Sequence, residues 1–228
     1  MDQTDPDERA SLVVAIAGGC SDDDDSVFFT PTDVVGSGVI VSENRIVNGF
    51  DAVTFASEGS LDVVMGAAEA LNIATDDNLM PYLITDVQAG RLSIRTSSGV
   101  DLMPSGSIQF DLTAVTLGEV LHEGVGSVGV SGLNQASFTF THTGVGTVTL
   151  SGTANQHDAT ISGVGDYDAR NLFGDDVTVH CTGIGTVTVR AANTLDVTLV
   201  GGGVVQYIGN PTVTTDITGS GRVEQIPG

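Results

Sequence analysis

From Phe138 to Thr143 the chain alternates apolar or aromatic with polar residues, Phe-Thr-Phe-Thr-His-Thr, and this two-residue period returns repeatedly toward the C-terminus. Successive side chains of a β-strand point to opposite faces, so the alternation predicts strands with one buried and one solvated face. Between the alternating segments stand Gly-x-Gly pairs, at Gly124/Gly126, Gly144/Gly146, Gly163/Gly165, Gly183/Gly185, Gly201/Gly203 and Gly219/Gly221. The steps between their first glycines are 20, 19, 20, 18 and 18 residues. Segments such as TVTLSG and TVTVRA follow the pairs, and segments such as SFTFTH, DATIS and DVTVHC precede them. Each repeat therefore predicts at least two short strands and a glycine corner. One such unit is too small to bury its own apolar face, so the repeats must stack.

Alignment on the first glycine of each pair tests the stacking. Two residues before it stand His142, Ile161, Cys181, Leu199 and Ile217. Four before stand Phe140, Ala159, Val179, Val197 and Thr215, and six before stand Phe138, His157, Val177, Leu195 and Val213. These mostly apolar columns are expected to face inward. The columns between them are mostly Thr, Asp and Ser and are expected to face water. The predicted fold is all-β: a single-stranded right-handed parallel β-helix, or β-solenoid, with about 18–20 residues per coil. A left-handed solenoid would show a six-residue apolar period, which the sequence lacks.

Composition narrows the function. The 228 residues carry 29 Asp and Glu against 7 basic residues, for a net charge of -22, and all seven basic residues are Arg. That charge repels phosphate backbones and anionic headgroups, which argues against nucleic acid and against docking on a membrane through a basic patch. Its simplest role is solubility; cation binding is the sharper alternative. Trp is absent and only three Tyr occur, so platforms for sugar rings look scarce. Two cysteines cannot build a disulfide framework.

The amino terminus points to export. An apolar run of about eight residues, Leu12 to Ala17 and its neighbours, ends in Ala-Gly-Gly-Cys. The run is too short to span a bilayer and has the length of a signal-peptide core. AGGC resembles a bacterial lipobox, with Cys20 as the lipidation candidate. The leading MDQTDPDERA is acidic where a signal is ordinarily basic. On this reading residues 1–20 are a lipoprotein-type signal, 21–35 an acidic disordered tether containing Asp22 to Asp25, and 36–228 the β-helix domain.

The first half completes a family picture. Gly36-Ser37-Gly38, Glu43 and Arg45, the Phe50-x-x-Val53 segment, Asp77-Asn78-Leu79 and VQAGRLSI from Val87 resemble the DUF2807 family, also called the "putative autotransporter adhesin, head GIN domain". Tyr207-x-Gly-x-Pro211 and the closing TGSGRVEQ resemble its carboxyl end. The resemblance implies a bacterial envelope protein, lipid-anchored or secreted, with a β-helix fold. It transfers fold better than function.

Candidate chemistry is sparse. His142 and His157 fall in inward columns, and His122 is expected at a turn beside Glu123. His180 is expected to point outward between Thr160 and Thr198, with Asp158 and Asp196 diagonal to it. A His flanked by carboxylates can hold a metal or act as a base, though diagonal partners are about 7–8 Å apart. Asp166 and Asp168 lie two apart, an arrangement that suits Ca2+, but Asp168 is also positioned to pair with Arg170 or Arg190. Asp166, Asp168 and His180 are thus the metal candidates, calcium the cofactor they would suit, and structural pairing the simpler reading. Cys181, in an inward column, behaves as a small hydrophobe.

The outward Thr139, Thr141, Thr143, Thr160, Thr178, Thr182 and Thr198 form a surface ladder. The ladder admits an ice- or mineral-binding face, but Asp158, His180, Asp196 and Asp216 interrupt it. A polysaccharide-active enzyme would need convergent carboxylates, or a base with cationic or metal help; Lys is absent and Arg scattered. The reading that remains is a non-catalytic envelope protein for adhesion, binding or scaffolding, with no catalytic residue assigned. Its partner would be an envelope or extracellular glycan or protein, with self-association through uncapped solenoid ends as a further expectation. The segment from Gly36 to Phe50 is expected to cover one end and the closing EQIPG the other.

Overall fold

The computed structural model describes residues 31–228. Apart from one 3-10 turn, Met80–Tyr82, its regular structure is all strand. The early strands are β1 (Thr32–Val35), β2 (Ile40–Arg45), β3 (Ala52–Ala56), β4 (Glu58–Met65), β5 (Ala70–Asp76), β6 (Leu83–Gln88), β7 (Arg91–Thr96), β8 (Val100–Met103), β9 (Gln109–Ala114) and β10 (Glu119–His122). Four long strands follow: β11 (Val125–His142), β12 (Val145–Ile161), β13 (Tyr167–Cys181) and β14 (Thr186–Gly201). The chain closes with β15 (Val204–Ile208), β16 (Thr212–Gly219) and β17 (Arg222–Gln225). β1 pairs only with β8, and the other fifteen strands share one hydrogen-bonded network.

That network is long and mostly parallel. β11, β12, β13 and β14 lie on one another in sequence order, with Phe140 beside Ala159, Ala159 beside Val179 and Val179 beside Val197. The C-terminal halves of these strands continue a ladder that begins β6-β7-β3-β10 and ends on β16. Their N-terminal halves continue a second ladder that begins β2-β5-β9-β4 and ends β15-β17. The inward columns predicted from the repeat are buried from β11 to β14. They lose cover only on β16, where Thr215 is exposed and Ile217 is 41% exposed, because no strand stacks beyond it among the described residues.

The repeat did not foretell three antiparallel pairings, β2 with β5, β5 with β9 and β6 with β7. The β6-β7 hairpin turns through Ala89 and Gly90, both at positive φ (49° and 80°), the turn that suits the twist of a two-residue hairpin. The Gly-Ser-Gly segment acts as a clamp. Asp76 accepts from the Gly38 N–H (2.6 Å) and from the N–H and Oγ of Ser105, while Ser37 donates its hydroxyl to Asp77 and its N–H to Asn78. These bonds, the Ser105 hydroxyl first, hold the Asp76 carboxyl below its usual range. β1 lies within the segment expected to be tether, so ordered pairing begins before residue 36. Gly36 to Phe50 does cover an edge, through β2. EQIPG covers only the second ladder, where the Ile226 N–H reaches the Tyr207 carbonyl, and β16 stays an edge because the chain crosses from it to β17.

The core is a strip of Val, Leu, Ile and Phe broken by three histidines. His122 is not at a turn as expected. It ends β10 fully buried, stacked between Phe55 (5.6 Å) and His142 (4.8 Å), because the strand alternation carries through to it. The Nδ1 atoms of His122 and His142 lie 3.0 Å apart, so one donates to the other, the roles being set by the tautomers. His157 meets the buried Tyr167 hydroxyl at 2.8 Å. Burial pushes His122 down to about 4, with the neighbouring His142 charge second, and burial alone pushes His157 to about 4. Burial also lowers His142 and raises the Cys181 thiol.

Gly146 has φ 145°, and a Cβ there would overlap the Gly126 carbonyl oxygen. Gly146→Ala is expected to cost several kcal/mol in urea denaturation, on the order of the severe core class. Gly202→Ala, where a Cβ meets nothing closer than the Ser220 hydroxyl at 3.6 Å, is expected to change stability little. The histidines give a pH dependence. Unfolded, each takes a proton near pH 6.5; folded, His122 and His157 resist until about 4. Their contribution is therefore complete above pH 6.5 and lost as pH falls toward 4, by on the order of 3 kcal/mol each. Urea midpoints measured across that window should fall with pH in the wild type, and less steeply in His122→Phe.

Candidate functional site

Two broad faces and a narrow side face water. On the first ladder Thr139, Asp158, Thr178, Asp196 and Thr214 stand side by side in register, alternating hydroxyl and carboxylate. The next column runs Thr141, Thr160, His180, Thr198, Asp216. Carboxylates thus sit two strands apart, about 9–10 Å, which limits their repulsion. Thr143 and Thr182 are exposed beyond these columns, and all seven ladder threonines face solvent or are half-buried. His180 keeps its expected neighbours Thr160 and Thr198.

The metal candidates do not come together. His180 is on the first ladder, whereas Asp168 pairs in the second with Thr149 and Thr188. Asp168 forms a forked contact with the Arg170 Nε (2.8 Å), and Asp166 accepts from the Thr186 N–H (3.0 Å). Among the described residues no group of three or more His, Cys, Asp or Glu is arranged to hold a metal ion.

On the second ladder Gly129 stands in the column between Asp62 and Thr149. Without a side chain there the face dips into a depression of about 430 Å³ lined by Asp62, Ser127, Ser131, Thr147 and Thr149. Asp62 is held by the Gln109 amide at 2.7 Å. Along the glycine corner, Val125, Val145, Val164 and Ile184 stack in a column and are 47–72% exposed.

The narrow side carries what the repeat alignment missed. There β12, β13 and β14 slip register, and Gly174 stacks between Ala154 and Ala191. Gly174 and Ala191, with Ala192 and Gly209, line a recess of about 370 Å³. Phe173 forms one wall and is 58% exposed, an aromatic in water. The Arg190 guanidinium lies over its ring, Cζ 4.9 Å from the centroid. Its Nε donates to the Arg170 carbonyl (2.8 Å), so Arg190 does not pair with Asp168. Asn155, Asp175 and Asn210 line the rim. Alternation did carry a signal here, since Leu172 faces inward and its neighbour Phe173 must then face out.

Comparison with known proteins agrees with this architecture. A family model described as "Putative auto-transporter adhesin, head GIN domain", DUF2807, matches residues 49–211. A crystal structure of a "putative adhesin" from Bacteroides fragilis is similar with a TM-score of 0.72 at 22% identity, over 85% of this chain and 100% of that one. A "Putative lipid binding protein" from Parabacteroides distasonis is similar with a TM-score of 0.56 at 22% identity, over 86% of this chain and 100% of that one. At such identities the likeness is one of fold. No curated protein matches the chain.

Proposed function

From the premise that the chain belongs to the DUF2807 family of adhesin-type head domains, we propose a non-catalytic adhesion or scaffolding module of the cell envelope, which holds an extracellular or envelope ligand on its surface. The scaffold we infer is a single-stranded right-handed parallel β-helix, supported by in-register pairing of residues 18–20 apart through β11 to β16. One observation carries the function: hydroxyls and carboxylates are dispersed along stacked, rigid columns rather than gathered at one point. Catalysis concentrates groups around one reacting bond, whereas adhesion uses repeated polar contacts over a surface. Calcium at Asp166 and Asp168 has less support, since both carboxylates are already engaged. The interrupted Thr array likewise gives little support to an ice-binding face. The candidate signal and Cys20 lie outside the described residues; lipid anchoring through Cys20, or secretion, is the envelope route we propose.

Two experiments test the reading. Full-length protein added to a panel of bacterial and host-surface polysaccharides and proteins should be retained by at least one and release no product. New reducing ends or unsaturated uronate absorbance would overturn it in favour of a polysaccharide-active enzyme. Metabolic labelling with a fatty-acid analogue should mark the wild type and fail to mark Cys20→Ala; equal labelling of both would move the anchor elsewhere.

A further inference from the structure

Resting on the adhesive reading, we propose that the recess beside Phe173 and Arg190 is a binding site for a carboxylate-bearing sugar unit of a glycan. Three independent features converge there. The first is an aromatic ring in the wrong place for folding. In the repeat region Phe138, Phe140 and Tyr167 are fully buried and Tyr207 is partly buried against the core, yet Phe173 is 58% exposed on a strand. An exposed ring beside a concave floor of Gly174, Ala191 and Gly209 offers a flat apolar platform that the C–H face of a pyranose can cover.

The second is an unspent positive charge. Among the described residues, Arg45, Arg91, Arg95, Arg170 and Arg222 each pair with a carboxylate, and Arg190 alone does not. In a chain with a net charge of -22 that isolation is notable, because carboxylates are abundant. The Arg170 carbonyl takes the Arg190 Nε, and the Phe173 ring supports the guanidinium from below. The terminal nitrogens make no ion pair among the described residues and run past Gly228, 3.4 and 3.5 Å from where a Cβ on that residue would stand, and a carboxylate that reaches them can be held through two parallel N–H bonds.

The third is the rim. Asn155 and Asn210 carry amides that both donate and accept, as paired sugar hydroxyls require. Asp175 lines the same recess without pairing to Arg190. It accepts from hydroxyls and repels a second carboxylate, which orients the ligand with its acid toward Arg190. The volume of about 370 Å³ fits one or two sugar rings. A neutral sugar would leave the guanidinium unmatched. An acidic peptide would satisfy Arg190 but not the ring and amide arrangement, and serves below as the competing outcome.

The test uses the full-length protein and three probes: a galacturonate trisaccharide, the matching neutral galactose trisaccharide, and an acetylated tri-aspartate peptide. Calorimetric titration should show the uronate bound more tightly than either other probe, with affinity falling as salt rises. Arg190→Gln should lose about tenfold or more for the uronate and bring it level with the neutral sugar, as loss of a charged hydrogen-bonded contact requires. Phe173→Ser should weaken both sugars. Asn155→Ala, an exposed rim change, gives a second readout, and unchanged thermal melts show that each variant is folded. Uronate binding unaffected by Arg190→Gln and Asn155→Ala, a tri-aspartate peptide bound equally well, or no uronate binding at all would overturn the proposal. Retention on the surface panel separates this from the adhesive reading. If wild type and Arg190→Gln are retained alike, adhesion stands and the recess is not its site; if the wild type is retained nowhere, the adhesive reading itself fails.

Discussion

The described fold depends on close backbone contact at the glycine corners. The N–H of Val145 reaches the Gly124 carbonyl, that of Val164 the Gly144 carbonyl and that of Ile184 the Gly163 carbonyl, each at 3.0–3.1 Å. Strands in register about 4.8 Å apart leave no room for a Cβ pointing along the stack, so these positions admit only glycine. Once the corners are locked, the alternation of the flanking strands is fixed in phase from one layer to the next. A one-residue slip would turn every core Val and Phe out to water.

From that constraint the division of labour follows. The interior is spent on packing, including histidines that are neutral because they are dry, and Cys181 stays an inert small hydrophobe. Functional capacity is left to the outward columns and to places where the stacking falters. The narrow side is such a place: β12 to β14 shift register there, small residues replace bulky ones, and a recess opens beside an exposed ring. Irregularity in an otherwise periodic scaffold is where a distinctive surface can be built without disturbing the core.

Much of the C-terminal half was legible in the chain. The step of 18–20 residues set which strands stack, and the two-residue alternation placed Phe138, Phe140, Ala159, Val179 and Leu195 inside. His180 between two threonines followed from the same alignment. His122 did not, because nearby Gly124 suggested a turn while the strand in fact runs to that histidine. The first half has no repeat to align, so its antiparallel pairings and the Asp76 clamp were hidden, although VQAGRLSI contains the hairpin turn in plain view.

The sequence by itself determined the periodic part of this protein, since register in a strand stack is dictated by local spacing and by glycine, both of which are written residue by residue. Only the tertiary structure decided the narrow side and the ends. Whether Phe173 meets Arg190 depends on the register shifts between β13 and β14, and which edge the last strand covers depends on the crossing from β16 to β17. Both arise from how whole strands accommodate one another, a sum of contacts that no local pattern records.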